Sequence, residues 1–182
     1  MRHLRDALGP DTPIAIDANE SLTLDEAMRL CRLIEDCDIA WFEDPVRRND
    51  PRDLGLLRGR TSIPLSAGQM DGHSSRFRAF LEHDAIDIFM PNSLYNGGMT
   101  ETRRVAYLAQ IHDRPLSDAG GGGIFCLHHV AGFRNGTLAD MHLGVEQVER
   151  RLFVAVPEVE DVRLKVPDAP GFGITLDRDV MR

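Results

Sequence analysis

The sequence predicts an α/β chain of alternating strands and helices, an incomplete (β/α)-barrel of the TIM type, and three observations support it. First, six polar residues each close a short apolar run: Asp17, Glu43, Gln69, Asn92, Asp118 and His142, at intervals of 26, 26, 23, 26 and 24 residues. Each interval has room for one strand, one helix and two loops. Second, the runs are too short for helices and lie between turn residues, as buried strands do. Third, apolar residues recur at helical spacing between them. Alternating strands and helices joined by right-handed crossovers form a parallel sheet. Polar groups at the carboxyl ends of such strands are where a barrel of this kind builds its active site. A closed barrel of eight units takes about 250 residues, with roughly 200 as a lower limit. This chain has 182 residues and six units, so either two strands and their helices precede it or the sheet does not close.

The elements follow in order. The residues up to Gly9-Pro10 read as the end of a helix with a breaker behind it, and residues 13–17 as the first strand. Thr23 and Glu26 form a capping-box pattern ahead of a helix whose Ala27, Leu30, Cys31 and Ile34 share one face. Residues 39–43 make the next strand, which Pro45 ends. A short helix over 54–60, a strand over 64–67, a helix over 74–83 and a strand over 86–90 repeat the unit. Gly97-Gly98 opens a helix, residues 116–118 end a strand, and Gly120 to Gly123 lead into a helix through Ile124, Leu127 and Val130. Residues 138–142 are expected to be the last regular strand. From Arg151 the rhythm changes, with extended segments at 152–156 and 163–166 and a turn-rich stretch at 167–173. The expected organisation is therefore a partial barrel over residues 1–150 and a closing tail over 151–182.

A net charge of −8 with dispersed arginine pairs gives no positive footprint for nucleic acid. The cysteines Cys31, Cys37 and Cys126 offer no CxxC pair and no even set for a disulfide framework. No run is long and apolar enough to span a membrane, and the first residues do not lead into a signal-like segment. The expectation is a cytoplasmic protein with a small-molecule substrate.

Asp17, Glu43 and Gln69 end three consecutive strands and are hard oxygen donors of the kind that suits Mg²⁺. Asp71 is an alternative to Gln69 as third ligand. For proton transfer the candidates are Asp118, where burial would favour the protonated carboxyl, and His142, because histidine titrates near neutrality. Gly120 and Gly121 precede a helix and could offer backbone amides to a substrate carboxylate. His128 and His129 read as structural, and Tyr95, just past a strand end, as a wall of the substrate pocket.

The segments Ile16-Asp17-Ala18-Asn19, Trp41-Phe42-Glu43-Asp44-Pro45, Pro91-Asn92 with Asn96-Gly97-Gly98-Met99-Thr100-Glu101, and Val166-Pro167-Asp168-Ala169-Pro170-Gly171-Phe172-Gly173 resemble the enolase superfamily. The nearest match is its mandelate racemase and muconate lactonising enzyme branch. The resemblance implies the carboxyl-terminal barrel domain of a Mg²⁺ enzyme, with strands three to eight present and an amino-terminal cap elsewhere. The implied reaction abstracts the proton α to a carboxylate through an enediolate, as in sugar-acid dehydratases; racemases and cycloisomerases share the branch. It also implies that Asp17 and Glu43 are metal ligands and that Asn19 lies beside the metal. The third ligand position, normally glutamate, holds Gln69. Where the racemase pattern has an aspartate–histidine base pair, this chain has Asn92 and Asp118, and asparagine is no base. A non-catalytic remnant, an oligomerising scaffold whose open sheet seeks a partner, is the alternative of a different class.

Overall fold

The computed structural model describes residues 1–120 and 123–180. The chain divides into two compact units, Met1–Gly68 with Ser75–Phe89, and Gln69–Ser74 with Met90–Arg182.

The first unit begins with α1 (Arg2–Leu8) and carries β1 (Ile14–Asp17), α2 (Leu24–Ile34), β2 (Ile39–Glu43), α3 (Pro51–Arg58), β3 (Leu65–Ala67), most of α4 (Ser74–Glu82) and β4 (Ile88–Phe89). The four strands form one parallel sheet in the order β1-β2-β3-β4, open at β1 and β4 among the described residues. Local sequence explains the starts of α2 and α3. Thr23 Oγ1 accepts from the Glu26 amide at 3.4 Å while Glu26 Oε2 accepts from the Thr23 amide at 2.8 Å, the reciprocal box the sequence announces. Pro51 opens α3 at a position that needs no amide, and Asp50 accepts from the Arg52 amide at 2.9 Å. Ala27, Cys31 and Ile34 are the buried positions of α2. Phe77 of α4 packs on Phe89 of β4 with ring centroids 5.6 Å apart, and Phe42 and Leu65 are sealed in the sheet. Arg58 joins α3 to Asp87 at 2.7 Å, and the other oxygen of Asp87 accepts from the Leu65 amide that opens β3.

The second unit holds α5 (Met99–Ile111), α6 (Gly123–Gly132) and α7 (Leu143–Leu152). Two short antiparallel pairs follow: β5 (Phe153–Val154) with β8 (Thr175–Leu176), and β6 (Val159–Glu160) with β7 (Arg163–Leu164). The regular strands expected at 116–118 and 138–142 are replaced by a single parallel bridge between Leu116 and Gly136. Residues 138–142 form no regular strand, though the Leu138 carbonyl accepts the Asp118 amide at 3.3 Å, and the chain turns directly into α7, a helix that the sequence pattern does not predict. The extended tail segments appear as these two short antiparallel pairs. His129 is buried with Nε2 3.4 Å from the Met99 carbonyl, and His128 Nε2 lies 3.1 Å from the Phe172 carbonyl, the structural roles expected of them.

One glycine is fixed by close approach. A Cβ on Gly55 would sit 2.4 Å from the His83 carbonyl oxygen, where α3 crosses the end of α4. Gly55→Ala is expected to cost roughly 1–3 kcal/mol by overpacking, read as a lower urea midpoint with an unchanged slope.

Candidate active site

Strand register builds the acidic centre of the first unit. Asp17, the last residue of β1, is paired with Glu43, the last residue of β2. In a parallel pair, registered residues point to the same face, so the two carboxylates emerge side by side. Asp44 follows with a positive φ of 42°. Asp44 is 1% exposed, and its Oδ1 accepts from Asn49 Nδ2 at 2.8 Å and the Gly68 amide at 3.4 Å. Ligand oxygens of Asp17, Glu43 and Asp44 lie within 4.8 Å of one another. Asn19 turns back beneath them, its amide donating to Asp17 Oδ1 at 2.7 Å, with φ 47°. Their hard oxygens are of the kind that fits Mg²⁺, so the three form a candidate metal site. Asp44 is the member the sequence reading left out: it stands in the quoted motif but one residue past the strand end.

The other candidates lie in the second unit. Gln69 donates through Nε2 to the Gly120 carbonyl at 2.7 Å. Asn92 is fully buried; its Nδ2 donates to the carbonyls of Ala119 and Gly120 at 3.3 and 3.1 Å, and its Oδ1 accepts from the Leu94 amide at 2.9 Å. Both amide hydrogens are therefore used within the protein. Asp71 is buried, whereas Tyr95 is half-exposed.

Asp118 is 2% exposed. One of its oxygens accepts the Asp140 amide, and the other, Oδ2, is buried without a hydrogen bond among the described residues. Burial pushes its pKa from 3.8 to about 7, a rise the Asp140 amide opposes and the nearby Asp140 charge reinforces. His142 does not end a strand. Its Nδ1 accepts the Val145 amide at 3.2 Å and caps α7. An amide only donates, so Nδ1 is the unprotonated nitrogen and the neutral ring carries its proton on Nε2. In that state His142 offers a proton and not a free basic nitrogen.

Gly120 and Gly123 each lie against one of the protein's own carboxylates, those of Asp140 and Glu149. A Cβ on Gly120 would meet Asp140 Oδ2 at 2.7 Å, so glycine here lets Asp140 approach. Glu149, reaching from α7, accepts the Ile124 amide at 3.2 Å at the start of α6. An anionic substrate would meet these charges, which speaks against the anion-binding role expected of Gly120; Gly121 lies outside the described residues.

A parallel α/β sheet with paired carboxylates at neighbouring strand ends is the architecture of an incomplete TIM-type barrel carrying a candidate metal site. The family model for enolase C-terminal domain-like proteins matches residues 1–180, and the chain belongs to that family, in the mandelate racemase and muconate lactonising enzyme branch of the enolase superfamily. Arabinonate dehydratase of Saccharolobus solfataricus is 29% identical over 97% of the chain and 48% of its own length. L-talarate dehydratase from Polaromonas sp. JS666, solved with Mg and L-glucarate, superposes with a TM-score of 0.89 at 26% identity, covering 99% of this chain and 49% of that one. A racemase from Streptomyces coelicolor A3(2) with bound magnesium gives 0.90 at 25% identity, covering 98% and 48%. The chain thus spans about half the length of the relatives it matches. Among the described residues no helix is long and apolar enough to cross a membrane.

The folded chain holds the Asp118 proton up to about pH 7, whereas the unfolded chain releases it near 3.8. The fold therefore binds more protons between these values, and stability falls as pH rises through them, by up to about 1.4 kcal/mol per pH unit. Asp118→Asn is expected to match the parent at about pH 4 and exceed it at about pH 8, measured by urea unfolding at both.

Proposed function

We propose that this chain is the catalytic domain of a Mg²⁺-dependent hydro-lyase acting on sugar acids. The observation that carries the proposal is the registered pair Asp17 and Glu43 with Asp44 beside it. Family membership and relatives named as arabinonate and D-xylonate dehydratases support the substrate class. Asp17 and Glu43 would hold the metal, with Asp44 as a further oxygen donor. Bound there, Mg²⁺ would supply positive charge beside the substrate carboxylate and so make the neighbouring C–H more acidic.

The chain's own residues would manage the protons. The α-proton leaves to a base, its electron pair closes a carbon–carbon double bond, and the β-hydroxyl departs as water once protonated. Asp118, which holds its proton to about pH 7, suits the donor role in that last step. His142 Nε2–H, at an exposed position, would donate a hydrogen bond to the substrate. Asn19 steadies the Asp17 carboxylate through its amide.

One observation favours a second reading, a chain that works as part of an assembly. Among the described residues β1 bonds to β2 on one side only, and its Ala15 and Asp17 are exposed. A second copy or another chain pairing on that edge would give a larger species in light scattering.

Calorimetry on the purified chain is expected to show saturable Mg²⁺ binding that Asp17→Ala abolishes and Glu43→Gln weakens on the order of tenfold or more. Incubation of aldonic acids with Mg²⁺ and the chain in D2O should release 2-keto-3-deoxy acids, with Asp118→Asn slowing release. Mg²⁺ binding indifferent to both Asp17 and Glu43 contradicts the ligand assignment. Neither α-proton exchange nor product across a panel of aldonates contradicts the lyase reading.

A further inference from the structure

Gln69 and Asn92 stand where the family pattern has acidic residues, and this chain uses both amides in the same way. Gln69 Nε2 and Asn92 Nδ2 donate to one acceptor, the Gly120 carbonyl, at 2.7 and 3.1 Å. A carbonyl oxygen has two lone pairs, so the two donors saturate it. Because a carbonyl only accepts, the facing atom of each side chain must be nitrogen. An ionised glutamate at 69 or aspartate at 92 would present an acceptor to an acceptor and break the arrangement. The two amides therefore belong together: each is suited to the contact the other makes, and neither acid is.

The clamped carbonyl lies two residues beyond Asp118. Asn92 also holds the intervening Ala119 carbonyl at 3.3 Å, so all three bonds converge on residues 119 and 120. Upstream, the Asp118 amide is tied to the Leu138 carbonyl at 3.3 Å, and its carboxylate to the Asp140 amide. Asn92 is itself braced, since Ser93 Oγ meets Cys126 Sγ at 3.4 Å directly behind it. Asp118 is thus pinned from both sides, and its Oδ2 is left buried and unbonded among the described residues.

We propose that Gln69 and Asn92 are a positioning pair that clamps the Gly120 carbonyl and so holds Asp118 in its buried seat. They replace, in this chain, the metal-ligand and base functions that acidic residues would have at the two positions. The proposal rests on the reading of Asp118 as a proton-transfer group. Near that carboxyl stand Asp140 from the following segment and Cys126 on α6, whose thiol burial also pushes toward the neutral form. The clamp adds no charge to this group of acids; it keeps water out.

The test uses the full chain labelled with ¹³C and ¹⁵N. In the parent, through-bond couplings should connect both side-chain amides to the Gly120 carbonyl. In Gln69→Leu, which loses the donor, the Asp118 carboxyl midpoint is expected to fall by about one pH unit as water enters. Exchange of the Asp140 amide should rise about tenfold while the amides of β2 stay protected. Gln69→Glu should accelerate Asp140 exchange when ionised and restore protection when protonated, because a neutral carboxyl can donate again. Its Mg²⁺ affinity should stay within about threefold of the parent. The clamp is overturned if folded Gln69→Leu leaves the Asp118 midpoint and Asp140 exchange unchanged. It is equally overturned if Gln69→Glu binds Mg²⁺ tenfold tighter or more, as a metal ligand would. If fully buried Asn92→Leu does not fold, half-buried Gln69 carries the test alone. None of these readouts needs turnover, so absence of dehydration bears on the lyase reading only.

Discussion

Between Ile14 and Ala15 the pairing of β1 with β2 slips by one residue, and the acidic centre depends on that slip. Ile14 pairs with Ile39, but Ala15 pairs with Trp41, so Ala40 is passed over and Asp17 arrives opposite Glu43. Without the irregularity Asp17 would stand opposite Phe42. A shift of one residue turns a strand's side chains to the other face, so the carboxylate would point away from its partner. The bulge is local, yet it decides whether two carboxylates can share one cation. Irregularities of this kind next to functional groups re-aim a side chain at a cost to the ladder.

Asp44 extends the same centre by a different device. It follows β2 in a left-handed conformation, which aspartate tolerates better than most residues. Asn49 and the Gly68 amide fix its carboxylate. The acidic centre is thus set by backbone pairing on one side and by hydrogen bonding on the other. In the second unit the acids Asp118, Asp140 and Glu149 are managed by burial, protonation and capping of a helix start.

Much of the first unit is legible in the sequence. The strand ending at Asp17, the capping box of Thr23 and Glu26, the strand ending at Glu43 and the start of α4 at Ser74 follow from local patterns strong enough to survive folding. The second unit is less legible because its signals are tertiary. Residues 138–142 have the composition of a strand but find no ladder, and His142 caps α7 through Nδ1, a use of histidine that no spacing announces. The helix behind it did leave a trace, the i,i+4 pair of Glu146 and Arg150, whose atoms meet at 2.7 Å. Gln69 and Asn92 show a deeper limit. Their position marks them as site residues, but whether an amide ligates through oxygen or clamps through nitrogen depends on where a carbonyl 51 or 28 residues away is placed.

The most direct measurement is a crystal structure of the chain grown with Mn²⁺ and read at the manganese absorption edge. The account predicts an anomalous peak between the carboxylates of Asp17 and Glu43, with the one-residue slip at Ile14 preserved beneath it. A peak seated elsewhere, or none in crystals whose β1 and β2 keep this register, would contradict the claim that strand register builds a metal seat.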